Sequence, residues 1–137
     1  MQNAYTLLID SALFVLVCLV QFIIYPSFRY MAGHSLSVWH RQYKARITFF
    51  VLPLMLGQLA SYAHGLWVGF DWMRFAAAVF ISIAWMVTFF KEVPLHTKIS
   101  QGQDVEKSIV GLIDWNWPRT ISWTLVFILS LYRTTTL

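Results

Sequence analysis

Glu92 and His96 stand four residues apart in "KEVPLHTKIS", with Pro94 between them. A carboxylate near an imidazole biases its charge and fixes its tautomer. His40, Tyr43 and Arg46 recur at intervals of three in "VWHRQYKARI". Trp117 and Arg119 complete the set in "WNWPRT". A histidine base, an acid that orients it and an arginine facing a developing oxyanion are the parts of a general acid–base site. His40, Glu92, His96 and Arg119 are the candidate catalytic residues. Tyr43, Arg46 and Trp117 are the candidate substrate-binding residues.

These residues come from three separate stretches, so the elements between them decide whether they meet. The chain of 137 residues is 58% hydrophobic and 18% aromatic, with only 12% charged residues. Soluble domains carry about twice that charge fraction. With a mean hydropathy of +0.61, the composition excludes an ordinary soluble domain. No basic n-region with a small-residue cleavage site opens the sequence, so the first apolar run is expected to stay as a membrane helix. The formal net charge is +4. The basic residues flank apolar spans, where they orient helices, so no nucleic-acid partner is expected. Cys18, the one cysteine, lies mid-span.

The expected fold is all-α: an integral membrane four-helix bundle, a single domain over 1–137. Spans are placed near 5–25, 38–64, 72–92 and 116–133. A crossing needs ~20 apolar residues for a core ~30 Å thick. The last uncharged run, 120–132, covers only ~20 Å at 1.5 Å per residue. Arg119 is thereby drawn inside the membrane boundary, where an unpaired arginine costs ~2.5–3.5 kcal/mol. Ser35 or Ser37 offers an N-cap for the second helix, and Pro53 and Gly57 are expected to bend it. Pro94 predicts a kink or an ending. Val105, Ile109, Leu112 and Ile113 fit either a short interfacial helix over 104–114 or an early start to the fourth span.

Arg29, Arg41, Lys44 and Arg46 come after the first span; Lys91, Lys98, Lys107 and Arg119 come after the third. Only Arg74 and Arg133 lie on the other side. The positive-inside rule puts both basic segments in the cytoplasm and both termini outside, in a multi-pass protein of the cell inner membrane. His40, Glu92, His96 and Arg119 then share one end of the bundle. Trp39, Trp115 and Trp117 mark that interface, and Trp67 and Trp72 the opposite one. Asp10, Gln21, Gln58 and His64 also need partners: Asp10 is placed near the outer end, in reach of water, and Gln21 near the cluster. No metal site is expected, and no cofactor is required. A b-type haem has only His40 and His96 at equal depth, with His34 a loose third. No CxxCH or HExxH pattern occurs.

"IYPSF", "WH" with "ARI" after it, the proline of "FVLPLM", "EVPLHTKIS" and "NWPRTISW" resemble a group of small four-helix membrane proteins of unknown function. That group looks related to the membrane-bound anthrone oxygenase-like proteins. The resemblance implies a four-helix bundle, and in some relatives cofactor-independent oxygenation of an aromatic polyketide. It carries over His40, Arg46, Glu92, His96, Trp117 and Arg119 as candidates. Tyr43 stands where it would put a basic or histidine side chain.

Three functions remain open on the residues alone. One is an enzyme drawing a flat hydrophobic small molecule from the lipid. The second is a non-catalytic accessory subunit, or a lipid-, quinone- or pigment-binding protein, among other membrane subunits. The third is a haem protein.

Overall fold

A segment in hydrocarbon must satisfy its own N–H and C=O groups, and helices do this locally. The apolar runs of this chain accordingly become helices. The computed structural model describes residues 2–31 and 33–136. Helix α1 spans Gln2–Leu19. It continues without a break through a π turn at Val20–Ile24, an α turn at Tyr25–Ser27 and a 3-10 turn at Phe28–Tyr30. Helix α2 spans Gly33–Val68, and α3 spans Trp72–Val87. A second π turn at Thr88–Glu92 joins α3 to α4, Val93–Ser100. Helix α5 spans Val105–Thr136. Among the described residues these make four helical rods and no strands. Three stretches, Ala4–Tyr30, Gly33–Val68 and Trp72–Ser100, are long and apolar enough to cross a membrane.

Several local expectations change. The second helix starts at Gly33, whose φ of +57° suits glycine, ahead of both candidate caps. Ser37 instead donates back to the His34 carbonyl at 3.0 Å. Pro53 lies within α2 without interrupting it. The segment 104–114 is no separate interfacial helix: α5 runs unbroken from Val105 through Pro118. Its 32 residues reach ~48 Å. The short uncharged run is therefore only the second half of a long rod, and Arg119 sits near its middle.

The chain does not stop at Pro94, and the reason is local. Proline removes one N–H donor. The π turn before it shifts the bonding to i→i+5, with the Val93 N–H reaching the Thr88 carbonyl. The same device precedes Pro26, where the Tyr25 N–H reaches the Val20 carbonyl. Each π turn inserts one residue, which rotates the next stretch of helix by ~100° relative to an unbroken one.

Helix α5 is the central rod, packed against α1 and α3. Near the middle, Leu13, Val17, Met55, Ala84 and Trp123 form one apolar layer; Tyr62, Ala77, Ile81 and Val126 form the next. A third layer, with Tyr25, Phe28, Tyr43, Ile99 and Leu112, surrounds the histidine-bearing end. At the opposite end Asp71 caps α3, accepting from the Met73 N–H at 2.9 Å, and pairs with Arg133 at 2.8 Å.

Asp10 is not wet. It is buried between α1 and α2, accepting from Gln58 Nε2 at 2.7 Å and from the Tyr62 hydroxyl at 2.9 Å. Gln58 in turn accepts from Trp123 Nε1 at 3.1 Å, which ties α1, α2 and α5 together. Asp10→Ala strands two donors, at about 1–3 kcal/mol each. It is expected to lower stability by roughly 2–6 kcal/mol, measured by denaturant titration in mixed micelles. Asp10→Asn, which keeps an acceptor, should cost clearly less; equal costs would show that these bonds do not hold the helices.

Candidate functional site

The two π turns rotate Tyr25 and Glu92 into the space between the rods. There Tyr25 donates its hydroxyl proton to Glu92 Oε2 at 2.5 Å. Its oxygen lies 3.1 Å from His96 Nε2. His96 Nδ1 meets His40 Nε2 at 2.8 Å, and His40 Nδ1 meets Ser100 Oγ at 3.2 Å. Arg119 Nη1 pairs with Glu92 Oε2 at 3.3 Å. Arg119 also donates to Asn116 Oδ1 at 2.9 Å, and Asn116 donates to Gln21 Oε1 at the same distance. The guanidinium lies 5.0 Å over the Trp123 ring, a cation–π contact. His40, Glu92 and Arg119 are 0%, 2% and 7% exposed. Charges this deep persist only when paired and hydrogen-bonded.

A cavity of about 550 Å³ opens beside this cluster. Its polar wall carries Tyr25, Tyr43, Glu92, His96 and Arg119. Val51, Met55 and Trp85 are among its apolar walls. Leu52, Phe89 and Val93 lie on it with exposed side chains. Three buried polar atoms on residues of this wall have no partner: Glu92 Oε1, Arg119 Nε and Trp85 Nε1. One is an acceptor and two are donors. Such atoms are rare in folded proteins, and water or a bound group can supply the partner each calls for.

Of the sequence candidates, His40, Tyr43, Glu92, His96 and Arg119 come together. Arg46 does not: it is exposed and stands off the cavity. Steps of three each rotate ~60°, so Arg46 is ~120° from His40. Lys44 and Thr48 occupy the cavity face instead. Trp117 also points away. It is 44% exposed and meets Phe22 edge-on at 5.6 Å. Two residues from Arg119 on a helix is ~200°, so the two cannot face the same way. The Glu92 and His96 side chains share no hydrogen bond; His96 Nε2 lies 4.0 Å from Glu92 Oε2. The Tyr25 hydroxyl bonds to both. His40 lies behind His96 and off the cavity wall, so His96 and Glu92 are the groups a ligand would meet.

Tyr25, Trp85, Ser100 and Asn116 are absent from the sequence candidates. Tyr25 and Ser100 lie inside the motifs "IYPSF" and "EVPLHTKIS". An aromatic residue just before a membrane-buried proline was the available signal. Gln21 joins the network, as its depth suggests.

Imidazoles bonded to each other at 2.8 Å leave no space for a haem plane between them, so a bis-histidine haem does not fit here. Among the described residues, no three His, Cys, Asp or Glu side chains are grouped to hold a metal ion.

No family model matches the chain, and neither a curated protein nor a solved structure matches it. The likeness to the anthrone oxygenase-like proteins therefore stands on the short motifs alone.

Proposed function

We propose that this is a multi-pass membrane enzyme that takes a flat hydrophobic aromatic molecule from the bilayer and moves a proton at one of its oxygen-bearing rings. The observation that carries this is the trio of unpartnered atoms on residues that line one cavity. A phenolic or enolisable ketone group complements them: its proton goes to Glu92 Oε1, and its oxygen accepts from Arg119 Nε and Trp85 Nε1. Glu92 acts as general base, and the anion left on the ligand is held by the two N–H donors. The role that the sequence suggests for the histidines at the substrate passes to Glu92, because His40 stands behind His96 and both ring nitrogens of His96 are already hydrogen-bonded, while Glu92 Oε1 is free.

The architecture in this reading has all four rods crossing the inner membrane, with the site at the cytoplasmic end and both termini outside. The excess of Lys and Arg beside that end supports it. Proton removal from an activated aromatic ring is also the opening step an oxygenase-like activity on such a substrate needs. A pure binding role, as an accessory subunit, would use the same cavity without proton transfer.

A hydroxylated anthrone, added to the protein in lipid nanodiscs, separates these readings. The bound probe is expected to absorb as its anion at a pH where the free probe stays neutral. Glu92→Gln should bind it and leave it neutral. A wild-type complex holding the neutral probe would leave only the binding role; an anion formed equally in Glu92→Gln would remove Glu92 as base.

A further inference from the structure

Glu92 has two oxygens with different surroundings. Oε1 is unpartnered and available to a ligand, while Oε2 ends a line of hydrogen bonds. That line runs Ser100, His40, His96, Tyr25, Glu92, with every link between 2.5 and 3.2 Å. It starts at the end of α4, where residues 101–104 are all exposed. It crosses from α4 to α2, back to α4, and on to Tyr25 beyond α1.

Each neutral imidazole has one donor and one acceptor nitrogen. With both histidines neutral, this restricts the line to two arrangements. In the first, Ser100 donates to His40 Nδ1, His40 Nε2–H to His96 Nδ1, His96 Nε2–H to the Tyr25 oxygen, and Tyr25 O–H to ionised Glu92. In the second, every bond is reversed. Glu92 is then protonated and donates to Tyr25, both histidines carry their proton on Nδ1, and His40 donates to Ser100. The Ser100 hydroxyl needs another acceptor in that state. The His96 carbonyl supplies it at 3.0 Å.

We infer that Ser100, His40, His96 and Tyr25 form a proton relay between the membrane interface and Glu92, switching as a unit between these two arrangements. The inference rests on the reading of Glu92 as the cavity's proton-transfer group. One proton moves at each step. Ser100 passes its proton to His40 Nδ1 and takes another from solvent. The Nε2 proton of His40 passes to His96 Nδ1, that of His96 Nε2 to the Tyr25 oxygen, and that of Tyr25 to Glu92 Oε2. The outcome is a neutral Glu92, with no imidazolium left on the line. Run backwards, the relay clears a proton that Glu92 has taken from a ligand, once the carboxyl group turns to exchange its oxygens. The other charged and titratable groups facing the line are Tyr43, which hydrogen-bonds Tyr25, and Lys44 from α2 and Arg119 from α5. Arg119 favours the arrangement with Glu92 ionised, since it pairs with Oε2. Tyr25 and His96 are thus proton-transfer groups on the cavity wall, and His40 is one behind it.

Nitrogen-15 NMR of histidine-labelled protein in nanodiscs tests this without any ligand, so its failure would leave the ligand reading standing. Infrared difference spectra, assigned with Glu92→Gln, track the carboxyl group in parallel. Both histidines are expected to switch from the Nε2–H to the Nδ1–H tautomer together, at the midpoint of Glu92. Tyr25→Phe should uncouple them: Glu92 still titrates while the paired switch disappears. Ser100→Ala, a smaller change, should keep the coupling and slow exchange of the histidine protons with solvent. The slowing is roughly 100-fold, the low end of what a positioned proton-transfer group contributes. Histidines that charge independently of Glu92, a paired switch that survives in Tyr25→Phe, or unslowed exchange in Ser100→Ala would overturn the relay.

Discussion

Replacing Arg119 by methionine is expected to destabilise the bundle by about 3–5 kcal/mol, the cost of leaving a buried charge without its partner. Arg119 pairs with Glu92 at 3.3 Å, and both side chains are nearly closed to the surroundings. With the guanidinium gone, Glu92 must hold its charge against an apolar wall or take up a proton. Glu92→Leu alone strands Arg119 in the same way. The pair Glu92→Leu/Arg119→Met removes both charges and should recover most of the loss, because replacing a buried ion pair by apolar groups of similar volume is often neutral or stabilising. Denaturation in mixed micelles, monitored by tryptophan fluorescence, completes the cycle. Single costs that simply add would mean that the two charges do not interact. The double variant also makes a functional prediction: it folds, and it leaves an added anthrone neutral.

Filling the cavity is expected to have the second large effect, on binding and not on folding. Val51 lines the cavity from α2 and is only half-buried. A phenylalanine there occupies the space of one ring of a ligand. Losing room for a ring-sized apolar group is worth about 1.5–3 kcal/mol, or roughly 10- to 150-fold in affinity. Val51→Phe should therefore weaken binding of a hydroxylated anthrone by that factor while stability stays the same or rises. Arg46→Ala serves as the control: the side chain is exposed and off the cavity, and binding should not change. Equal affinity in Val51→Phe and wild type would place the ligand elsewhere.

Much of the fold is legible in the residues, for a physical reason. Long uncharged runs bounded by Arg and Lys have few alternatives to membrane helices, and the clustering of basic residues puts the histidine segments at one end. His40, Glu92, His96 and Arg119 come together on side and depth alone. Arg119 is the most informative residue, because an arginine so close to a span demands a partner. Rotation about the helix axes is what the residues do not settle. Three-residue steps group Arg46 with His40 only loosely, and adjacency groups Trp117 with Arg119, though both geometries point the side chains apart. Tyr25 escapes because a regular 3.6-residue period does not include a π turn. The prolines at 26 and 94 mark where the phase slips, but not how. Reading Pro94 as a helix end overlooks that the missing donor can be absorbed one turn earlier. Asp10 is misplaced for a similar reason: its position along the chain suggests water, whereas Gln58 and Tyr62 reach it from α2.

The proposed chemistry depends on what occupies the cavity beside Glu92. A crystal structure grown from a lipidic mesophase in the presence of a hydroxylated anthrone tests that most directly. The predicted result is a planar ring system between α2 and α3, its oxygen within hydrogen-bond reach of Arg119 Nε and Trp85 Nε1 and a hydroxyl against Glu92 Oε1. A cavity filled only by lipid chains, with the anthrone elsewhere and those three atoms still unpartnered, would contradict it.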